Sequence, residues 1–447
     1  MAHTSYSPDR PWPAPTVQAP LDAVVEVPGS KSLANRELVL AAIADAPGVI
    51  RKPLIARDTA LCEAALVALG AKIAHGGDQL HVTPASLGAV TGEISIDCGL
   101  AGTVMRFLPP LAALTRARVR FDGDEAARLR PMGAVLDALE ALSVTIDREN
   151  GDALPFTVVG RGDVAGGELT IDASKSSQFV SALLLAAPLF TNGLALHHEG
   201  AELPSFPHIE MTLACLRAHG VDAEATGTAS WRVEPGAIAA RELTLEPDLS
   251  NAEPFLIAAI IAGGLVSIPS WPATTTQVGA QLAHLLPRFG AVCSLDQHGV
   301  FRCDGGDGIL SGARPDGVEL DLSEAGELAP NPAALCALCS TPSILRGIGH
   351  LRGHETDRLA ALATELTKIG ASVEVLDDGL RITPGEPPSG TTHWHSYADH
   401  RMATSGALLG LAIPGIRVDD IACTSKTMPE FPTLWAGMLS RKAEVAE

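Results

Sequence analysis

Apolar and polar positions along the chain recur in a unit of about 75 residues. In each unit an amphipathic run, such as 359–369, ends at a pair of small residues, and two short alternating segments with a polar turn follow. The apolar period of the run predicts a helix, and the alternation predicts a β-hairpin. Glycine at the pair suits the left-handed residue that ends a helix. The pairs are Gly70-Ala71, Ser143-Val144, Gly220-Val221, Gly290-Ala291 and Gly370-Ala371.

The spacing of these five pairs, 70 to 80 residues, gives a chain of 447 residues room for about six units. The sixth unit then has to be assembled from the two ends of the chain. This arrangement predicts two domains of three units each, with the termini together in one of them. We place the chain crossovers just before Gly29 and near Arg241, which gives one domain of residues 1–27 and 242–447 and an inserted domain of residues 28–241.

Composition excludes several classes of protein. A 46% apolar content is enough for a large core, and a formal charge of −20 argues against nucleic acid or an anionic membrane as a partner. The eight cysteines lie mostly in apolar stretches, and Cys336 and Cys339 have no second pair at metal-ligand spacing. We therefore expect a reduced, metal-free, cytoplasmic protein. Residues 1–20 are rich in Pro and polar residues, which predicts a loose tail and no signal peptide or anchor.

The first predicted helix start carries a pattern typical of an anion site. Residues 27–36 read Val-Pro-Gly-Ser-Lys-Ser-Leu-Ala-Asn-Arg, so Lys31 and Arg36 add two charges to a turn that opens a helix. The first backbone N–H groups of a helix lack intrahelical partners and attract anions. A nucleotide P-loop is excluded, because it needs glycine directly before the lysine and again five residues earlier, where this chain has Ser30 and Val25.

Two further helix starts carry the same polar signature. Gly102 and Thr103 follow a predicted strand at 93–97, and Ser176-Ser177-Gln178 precedes an apolar helix that begins at Phe179. For any one of them, ordinary N-capping is the simpler interpretation. The same holds for the basic and acidic candidates, each of which alone is more often a surface or salt-bridged charge. Those candidates are Arg130, Arg358, Arg401 and Lys426, with Glu327, Glu355 and His400.

Taken together, seven motifs resemble the 5-enolpyruvylshikimate-3-phosphate (EPSP) synthase family from about Val24 to Pro432. They are Pro28-Gly29-Ser30-Lys31-Ser32, Ala101-Gly102-Thr103, Arg130-Pro131, Ser176-Ser177-Gln178, Glu355-Thr356-Asp357-Arg358, Asp399-His400-Arg401-Met402 and Lys426-Thr427. The resemblance implies an α/β fold of the α+β kind: a two-domain inside-out α/β barrel, each domain built from three βαβαββ-type repeats, six in all. It also implies an active site in the interdomain cleft, over which the domains close.

The activity that the resemblance implies is transfer of the enolpyruvyl (carboxyvinyl) group of phosphoenolpyruvate to the 5-hydroxyl of shikimate 3-phosphate, with release of phosphate. This step belongs to the shikimate pathway of chorismate and aromatic amino acid biosynthesis, and the family is the target of glyphosate. No cofactor or metal is expected. The expected partners are the two small-molecule substrates, without nucleic acid or membrane, and we expect a monomer.

The resemblance also implies roles for individual residues. Lys31, Glu327 and Glu355 are implied to be catalytic. Phosphoenolpyruvate is implied to contact Lys31, Gly102, Arg130, Gln178, Arg358, Arg401 and Lys426. Shikimate 3-phosphate is implied to contact Lys31, Ser32, Arg36, Ser176, Ser177, Gln178, Ser205, Glu327 and His354. The Glu327 assignment comes from counting 28 residues back from Glu355, at a position where the family often has Asp.

The chain departs from the common family pattern at three positions. Leu100 stands in place of Asn, His208 in place of a Tyr that contacts the substrate ring, and His354 in place of a Lys beside Glu355. We expect His354 to be protonated in the complex, which would restore the missing positive charge.

Two alternatives remain. The sister enolpyruvyl transferase that acts on UDP-N-acetylglucosamine shares fold and chemistry, but it typically has a catalytic Cys in a loop that corresponds to residues 122–131, where this chain has none. A non-catalytic anion-binding protein on the same scaffold is expected to have lost Lys31, Glu355 or Arg401, and all three are present.

Overall fold

The computed structural model describes residues 11–440, which form two compact units. One unit is Gly29–Leu245, and the other joins the described parts of Met1–Pro28 and Glu246–Glu447. The crossovers therefore lie at 28/29 and 245/246, next to the places inferred from sequence, 27/28 and 241/242.

Twelve α-helices occur in the described chain. In order they are α1 Lys31–Ala42, α2 Arg57–Ala68, α3 Gly102–Ala113, α4 Gly133–Ala141, α5 Gln178–Ala186, α6 Pro207–Ala218, α7 Leu249–Ala262, α8 Leu282–Leu285, α9 Pro330–Cys336, α10 Arg358–Lys368, α11 His400–Ala412 and α12 Phe431–Ser440.

The strands of the described chain are short. In order they are β1 Trp12–Pro13, β2 Leu21–Val24, β3 Gly48–Arg51, β4 Lys72–Gly76, β5 Gln79–Thr83, β6 Thr91–Asp97, β7 Arg116–Asp122, β8 Thr145–Asn150, β9 Ala153–Val159, β10 Gly167–Ile171, β11 Leu194–His198, β12 Ala223–Gly227, β13 Ser230–Val233, β14 Glu242–Thr244, β15 Gly264–Ile268, β16 Val292–Leu295, β17 Phe301–Asp304, β18 Glu319–Asp321, β19 Ser343–Arg346, β20 Ser372–Val375, β21 Leu380–Thr383, β22 Thr392–Trp394 and β23 Ile416–Val418.

The predicted repeat is confirmed. Each predicted helix-ending residue has a positive φ, including Ser143 at 66°, where glycine is replaced. Each is followed by an antiparallel hairpin: β4–β5, β8–β9, β12–β13, β16–β17 and β20–β21. The left-handed residue ends the helix and the chain then reverses into the hairpin, so one small residue positions both elements.

Three four-stranded sheets surround the helices of the unit Gly29–Leu245. Their strand orders are β14-β3-β5-β4, β6-β7-β9-β8 and β10-β11-β13-β12. Each sheet joins its hairpin to one parallel pair, such as β6 with β7. All residues of α3, and all of α5 after Gln178, are buried. A helix that is apolar on every side has to lie inside a core, so the sheets cover these helices.

The second unit repeats this plan with strand orders β16-β17-β15-β2, β18-β19-β21-β20 and β1-β23-β22. Helix α7 is buried along its whole length, and α11 is buried except at its last residue. The sheet β1-β23-β22 has three strands and joins the two ends of the chain, with Trp12 opposite Val418. Strands from near both ends of the described chain therefore share one sheet, as the predicted sixth unit requires.

The expected loose tail is wrong for the part that the structure describes. Trp12 is 7% exposed, and Ala14 packs so closely against Gly410 that a Cβ on that glycine would lie 2.3 Å from the Ala14 Cβ. The apolar Trp12 side chain is buried on folding, which stabilises the segment by roughly 2 to 3 kcal/mol. Residues 1–10 lie outside the described chain.

The fold class is therefore confirmed as mixed α/β, with six small sheets around buried helices. Within residues 11–440, the longest apolar helices fall short of the length needed to cross a bilayer.

Candidate active site

Five of the predicted anion-binding residues lie in the first turns of helices. Lys31, Gly102 and Gln178 are the first residues of α1, α3 and α5. In the other unit, Arg358 is the first residue of α10 and Arg401 the second of α11. These positions carry backbone N–H groups without intrahelical partners, and at all of them except Gly102 the residue adds a polar or cationic side chain.

The start of α1 presents Lys31. Ser30 is the N-cap, and its hydroxyl accepts from the Leu33 N–H at 3.5 Å. The Lys31 side chain is 22% exposed, and its Nζ lies 3.8 Å from Oδ2 of the buried Asp58. At that distance the two groups form an ion pair that is longer than a hydrogen bond.

Gly102, Arg130 and Gln178 lie together. A Cβ built on Gly102 would lie 2.9 Å from Arg130 Nη2 and 3.1 Å from Gln178 Oε1. Arg130 is 6% exposed and donates from Nη1 to the Leu100 carbonyl at 3.2 Å. Glycine at 102 is what allows the guanidinium to lie against the start of α3.

Sequence reasoning missed Arg106, which orients Gln178. Arg106 is 3% exposed, lies over the Phe179 ring at 5.0 Å, and donates from Nη1 to Gln178 Oε1 at 2.8 Å and to Ser176 Oγ at 3.3 Å. Because the Gln178 oxygen accepts from Arg106, its amide nitrogen points away as a donor. The sequence spacing could have indicated this role, because Arg106 is four residues after Gly102 and so lies on the same helix face.

Arg36 is more deeply buried than a ligand-binding arginine needs to be. It is 1% exposed, and its guanidinium lies 5.2 Å from the centroid of the Phe107 ring. It donates to the hydroxyls of Thr212 at 2.8 Å and Ser181 at 3.3 Å and to the carbonyls of Ser32 at 2.8 Å and His208 at 2.9 Å. Arg36 therefore connects α1, α5 and α6, and its contact with shikimate 3-phosphate stays a prediction.

The remaining predicted residues of this unit lie on the segments that lead into α5 and α6. Ser177 is the N-cap of α5 and is 3% exposed, and the Ser176 hydroxyl accepts from the Gln178 N–H at 3.3 Å. Ser205 has a φ of 53°, and its carbonyl accepts from the His208 N–H at 3.1 Å. Their hydroxyl groups are thus held close to helix starts.

In the second unit, Asp399 organises two arginines. It is 0% exposed, and its Oδ1 caps α11 by accepting from the Arg401 N–H at 2.9 Å. Its two oxygens also accept from Arg358 Nε at 2.7 Å and Nη2 at 3.2 Å. Burial alone lowers the pKa of Arg358, but the carboxylates of Asp399 and Glu355 outweigh it and raise that pKa above its ordinary value. The Arg358 side chain is therefore a cation of fixed orientation, and Asp399 also holds the backbone at Arg401.

Glu355 lies between two of the predicted phosphoenolpyruvate-binding cations. Its Oε2 accepts from Arg358 Nη2 at 3.1 Å, and its Oε1 contacts Lys426 Nζ. His354 Nδ1 lies 3.8 Å from Glu355 Oε2 and 3.4 Å from Arg358 Nη1. The first contact favours a protonated His354 and the second opposes it, so the protonation of His354 stays a prediction.

Glu327 lies beside Arg401, although it was placed by counting alone. Its Oε1 is 3.7 Å from Arg401 Nη2 and accepts from the Ser250 hydroxyl at 2.6 Å.

His350, which is not among the residues predicted from sequence, lies against Gly326. Its Cε1 would be 2.5 Å from a Cβ built on that glycine. Burial lowers the pKa of His350 to about 4, so its ring is neutral near pH 7. The residue type gave no signal for this contact.

The backbone before α11 is strained, and one substitution tests this. Tyr397 and Ala398 have φ values of 55° and 54°, a region that costs a residue with a Cβ roughly 1 kcal/mol. Ala398 is exposed. We expect Ala398→Asn to raise the free energy of unfolding by about 0.5 to 1 kcal/mol, since Asn tolerates this conformation. Ala398→Val, with a β-branched side chain, is expected to lower it; equal stability of both variants in urea denaturation would contradict the argument.

In the described part of the chain, no group of three or more His, Cys, Asp or Glu side chains has the arrangement of a metal site.

Comparison with known proteins gives a consistent match. A family model described as EPSP synthase (3-phosphoshikimate 1-carboxyvinyltransferase) matches residues 15–435. The chain is 55% identical to a 3-phosphoshikimate 1-carboxyvinyltransferase of Kocuria rhizophila over 444 residues, 97% of this chain and 98% of that protein.

Solved structures share the fold. An EPSP synthase from Acinetobacter baumannii superposes with a TM-score of 0.77 at 20% identity, covering 95% of this chain and 97% of that one. The enolpyruvyl transferase NikO from Streptomyces tendae gives a TM-score of 0.72 at 20% identity, covering 95% and 96%. The two structures support the architecture, and the family follows from the profile match and the 55% identity: the chain belongs to the EPSP synthase (3-phosphoshikimate 1-carboxyvinyltransferase) family.

Proposed function

We propose that the chain transfers the carboxyvinyl group of phosphoenolpyruvate to the 5-hydroxyl of shikimate 3-phosphate and releases phosphate, the reaction EC 2.5.1.19 of the shikimate pathway. The observation that carries the proposal is the 55% identity to the Kocuria enzyme over nearly the full length of both chains. Supporting it, Gly102, Arg130 and Gln178 lie together, and Glu355 lies between Arg358 and Lys426.

Charge balance explains how an acidic protein binds these substrates. The two substrates together carry about five or six negative charges near neutral pH, and they repel each other unless cations are already in place. Six proposed site residues supply such cations against the formal charge of −20: Lys31, Arg36, Arg130, Arg358, Arg401 and Lys426. Held by carboxylates and carbonyls before substrate arrives, these side chains need little reorganisation in the transition state.

The reaction needs one proton to leave the acceptor hydroxyl and one to reach the methylene carbon. The 5-hydroxyl oxygen forms a bond to C2 of phosphoenolpyruvate while C3 is protonated, and the tetrahedral adduct then loses phosphate. We assign removal of the hydroxyl proton to Glu327, assisted by Lys31, and protonation of C3 to Glu355. General acid–base catalysis requires such groups within hydrogen-bond reach of the reacting atoms.

The contacts of Glu355 suggest how it becomes an acid. Its carboxylate contacts Arg358 and Lys426, both proposed to bind phosphoenolpyruvate. When the substrate anion takes over these cations, they stabilise the ionised form of Glu355 less, and its proton affinity rises. Binding of phosphoenolpyruvate would therefore prepare Glu355 to carry the proton that C3 receives.

Gly102→Ala is expected to weaken binding of phosphoenolpyruvate and to raise the inhibition constant of glyphosate by about tenfold or more, the usual scale of an overpacked site. The added Cβ would lie 2.9 Å from Arg130 Nη2, so the guanidinium has to move away from its ligand position. The matched control is Gly437→Ala in α12, where a Cβ meets nothing within 4 Å. Unchanged inhibition by glyphosate in Gly102→Ala would place the inhibitor elsewhere.

The choice of acceptor tests the proposal against the sister transferase. Phosphate release from phosphoenolpyruvate is measured with shikimate 3-phosphate and, separately, with UDP-N-acetylglucosamine. We expect release with the first acceptor only. Release with the nucleotide sugar would assign the chain to the other reaction, and binding of either anion without any release would indicate a non-catalytic binding protein.

We also propose that the enzyme acts as a monomer in the cytoplasm, without cofactor or metal. All eight cysteines are free thiols and six of them are buried, which supports a reducing environment. Light scattering on the purified chain measures its molar mass in solution and so tests whether it is a monomer.

A further inference from the structure

Glu253 is a buried carboxyl that the proposed reaction does not use. It lies in α7, where it is 0% exposed among otherwise mostly apolar residues. Its Oε2 accepts from Asn331 Nδ2 of α9 at 2.8 Å and faces Arg401 Nη1 of α11 at 3.4 Å. Its Oε1 is buried and has no hydrogen-bond partner among the described residues. Keeping a buried carboxyl ionised costs free energy, so the position of Glu253 beside Arg401, a proposed site residue, suggests a functional role.

The neighbours of Glu253 fix its position. The hydroxyls of Thr404 and Ser405 lie 3.0 and 3.1 Å from Asn331 Oδ1, and each can donate its one hydrogen either to that oxygen or to the Arg401 carbonyl. The Asn331 amide nitrogen faces Glu253. Arg401 also donates from Nη1 to the Ser250 carbonyl at 2.9 Å. The guanidinium of Arg401 is therefore held from α7 by one carbonyl and one carboxyl, and the carboxyl is held in turn by α9.

We propose that Glu253 is a positioning residue for Arg401: when neutral it leaves the guanidinium charge to the phosphoenolpyruvate anion, and when ionised it competes with that anion. The proposal rests on the assignment of Arg401 to phosphoenolpyruvate in the proposed function. It adds a residue that contacts no substrate and acts only through Arg401.

The charged groups around Glu253 determine the pH at which the competition begins. Arg401 and, more distantly, Arg358 favour the ionised form, whereas Glu327 and burial oppose it. Burial is the largest of these effects, and it raises the pKa of Glu253 to about 8. Glu253 is therefore neutral below about pH 8 and becomes a carboxylate above it, so affinity for the anion should fall as pH rises through this range.

The test is the pH dependence of the Michaelis constant for phosphoenolpyruvate in the wild type and in Glu253→Gln. Gln keeps the shape of a neutral Glu and an oxygen for Asn331, but it does not titrate. In the wild type the constant should rise roughly tenfold between pH 7 and 9, the scale of one charge placed beside Arg401 in a partly screened site. In Glu253→Gln the Michaelis constant for phosphoenolpyruvate should lack this rise between pH 7 and 9. The Michaelis constant for shikimate 3-phosphate should have the same pH dependence in the variant and in the wild type.

Two further variants keep the test decisive. Glu365→Gln removes another fully buried carboxyl of the same unit, one that contacts Lys368 and Tyr397, and it should keep the wild-type rise. Glu253→Met introduces an apolar side chain of similar length, and its Michaelis constant for phosphoenolpyruvate should likewise not rise with pH. It replaces Glu253→Gln in the test if that variant does not fold.

The outcomes separate the two proposals. A rise that persists in Glu253→Gln or Glu253→Met would overturn the role of Glu253. If the wild type released no phosphate from the two substrates, the proposed function would fail instead, and the same pH series would be measured as binding of phosphoenolpyruvate by calorimetry.

Discussion

Lys31→Met is expected to remove turnover while leaving the chain folded. Lys31 is the first residue of α1, its side chain is 22% exposed, and its Nζ lies 3.8 Å from Oδ2 of Asp58. In the proposed mechanism Lys31 stabilises charge that develops in the transition state and aids removal of the hydroxyl proton. Each effect is usually worth about 10²-fold or more, so we expect kcat to fall by about 10²- to 10⁴-fold.

Steady-state phosphate release checks this expectation, with circular dichroism and thermal unfolding to establish that the variant is folded. Lys72→Met, on the exposed face of β4, is the matched control and should keep wild-type turnover. Near-normal turnover in Lys31→Met would refute the assignment of Lys31 to catalysis.

Asp399→Ala is expected to destabilise the chain and to disrupt the proposed phosphoenolpyruvate site together. Asp399 is 0% exposed and accepts two hydrogen bonds from the buried Arg358. Removing Asp399 leaves Arg358 with Glu355 as its contacting carboxylate, and loss of one partner of a buried ion pair typically costs roughly 3 to 5 kcal/mol. The free energy of unfolding should fall by that amount. The Michaelis constant for phosphoenolpyruvate should rise at least about tenfold, since Arg358 loses its fixed orientation.

The control is Asp357→Ala, which removes the N-cap of α10 without removing a hydrogen-bond partner of the Arg358 side chain. The exposed Asp357 side chain accepts from the Ala360 N–H at 3.1 Å. Its loss should cost about 1 kcal/mol, the usual value of an N-cap. Urea denaturation of both variants measures the difference, and equal losses would mean that Asp399 acts only as a helix cap.

The repeat was predictable from sequence because local signals determine it. A small residue at a positive φ ends each helix, and the polar turn that follows forms the hairpin, so the residues of one unit are enough to identify it. The short end segment was mispredicted because Trp12 is buried by pairing with Val418, far away in sequence. Proline and polar composition describe a segment's own preferences and not the surface against which it packs.

Candidate site residues could be proposed from sequence where a local pattern marks them. Helix starts with cationic or hydroxyl residues can be read from a few consecutive positions, so Lys31 and Gly102 could be proposed from the sequence alone. Asp399, Arg106 and Glu253 were missed as functional residues because each acts by holding another side chain. Their partners, Arg358, Gln178 and Arg401, lie 41, 72 and 148 residues away in sequence. Such contacts are set by the packing of helices from different units of the repeat.

The proposed reaction joins phosphoenolpyruvate to shikimate 3-phosphate. Phosphate release on mixing purified protein with both substrates, and with each omitted in turn, tests it most directly. We expect phosphate release that requires both substrates together. Release from phosphoenolpyruvate alone, or no release although both ligands bind by calorimetry, would contradict it.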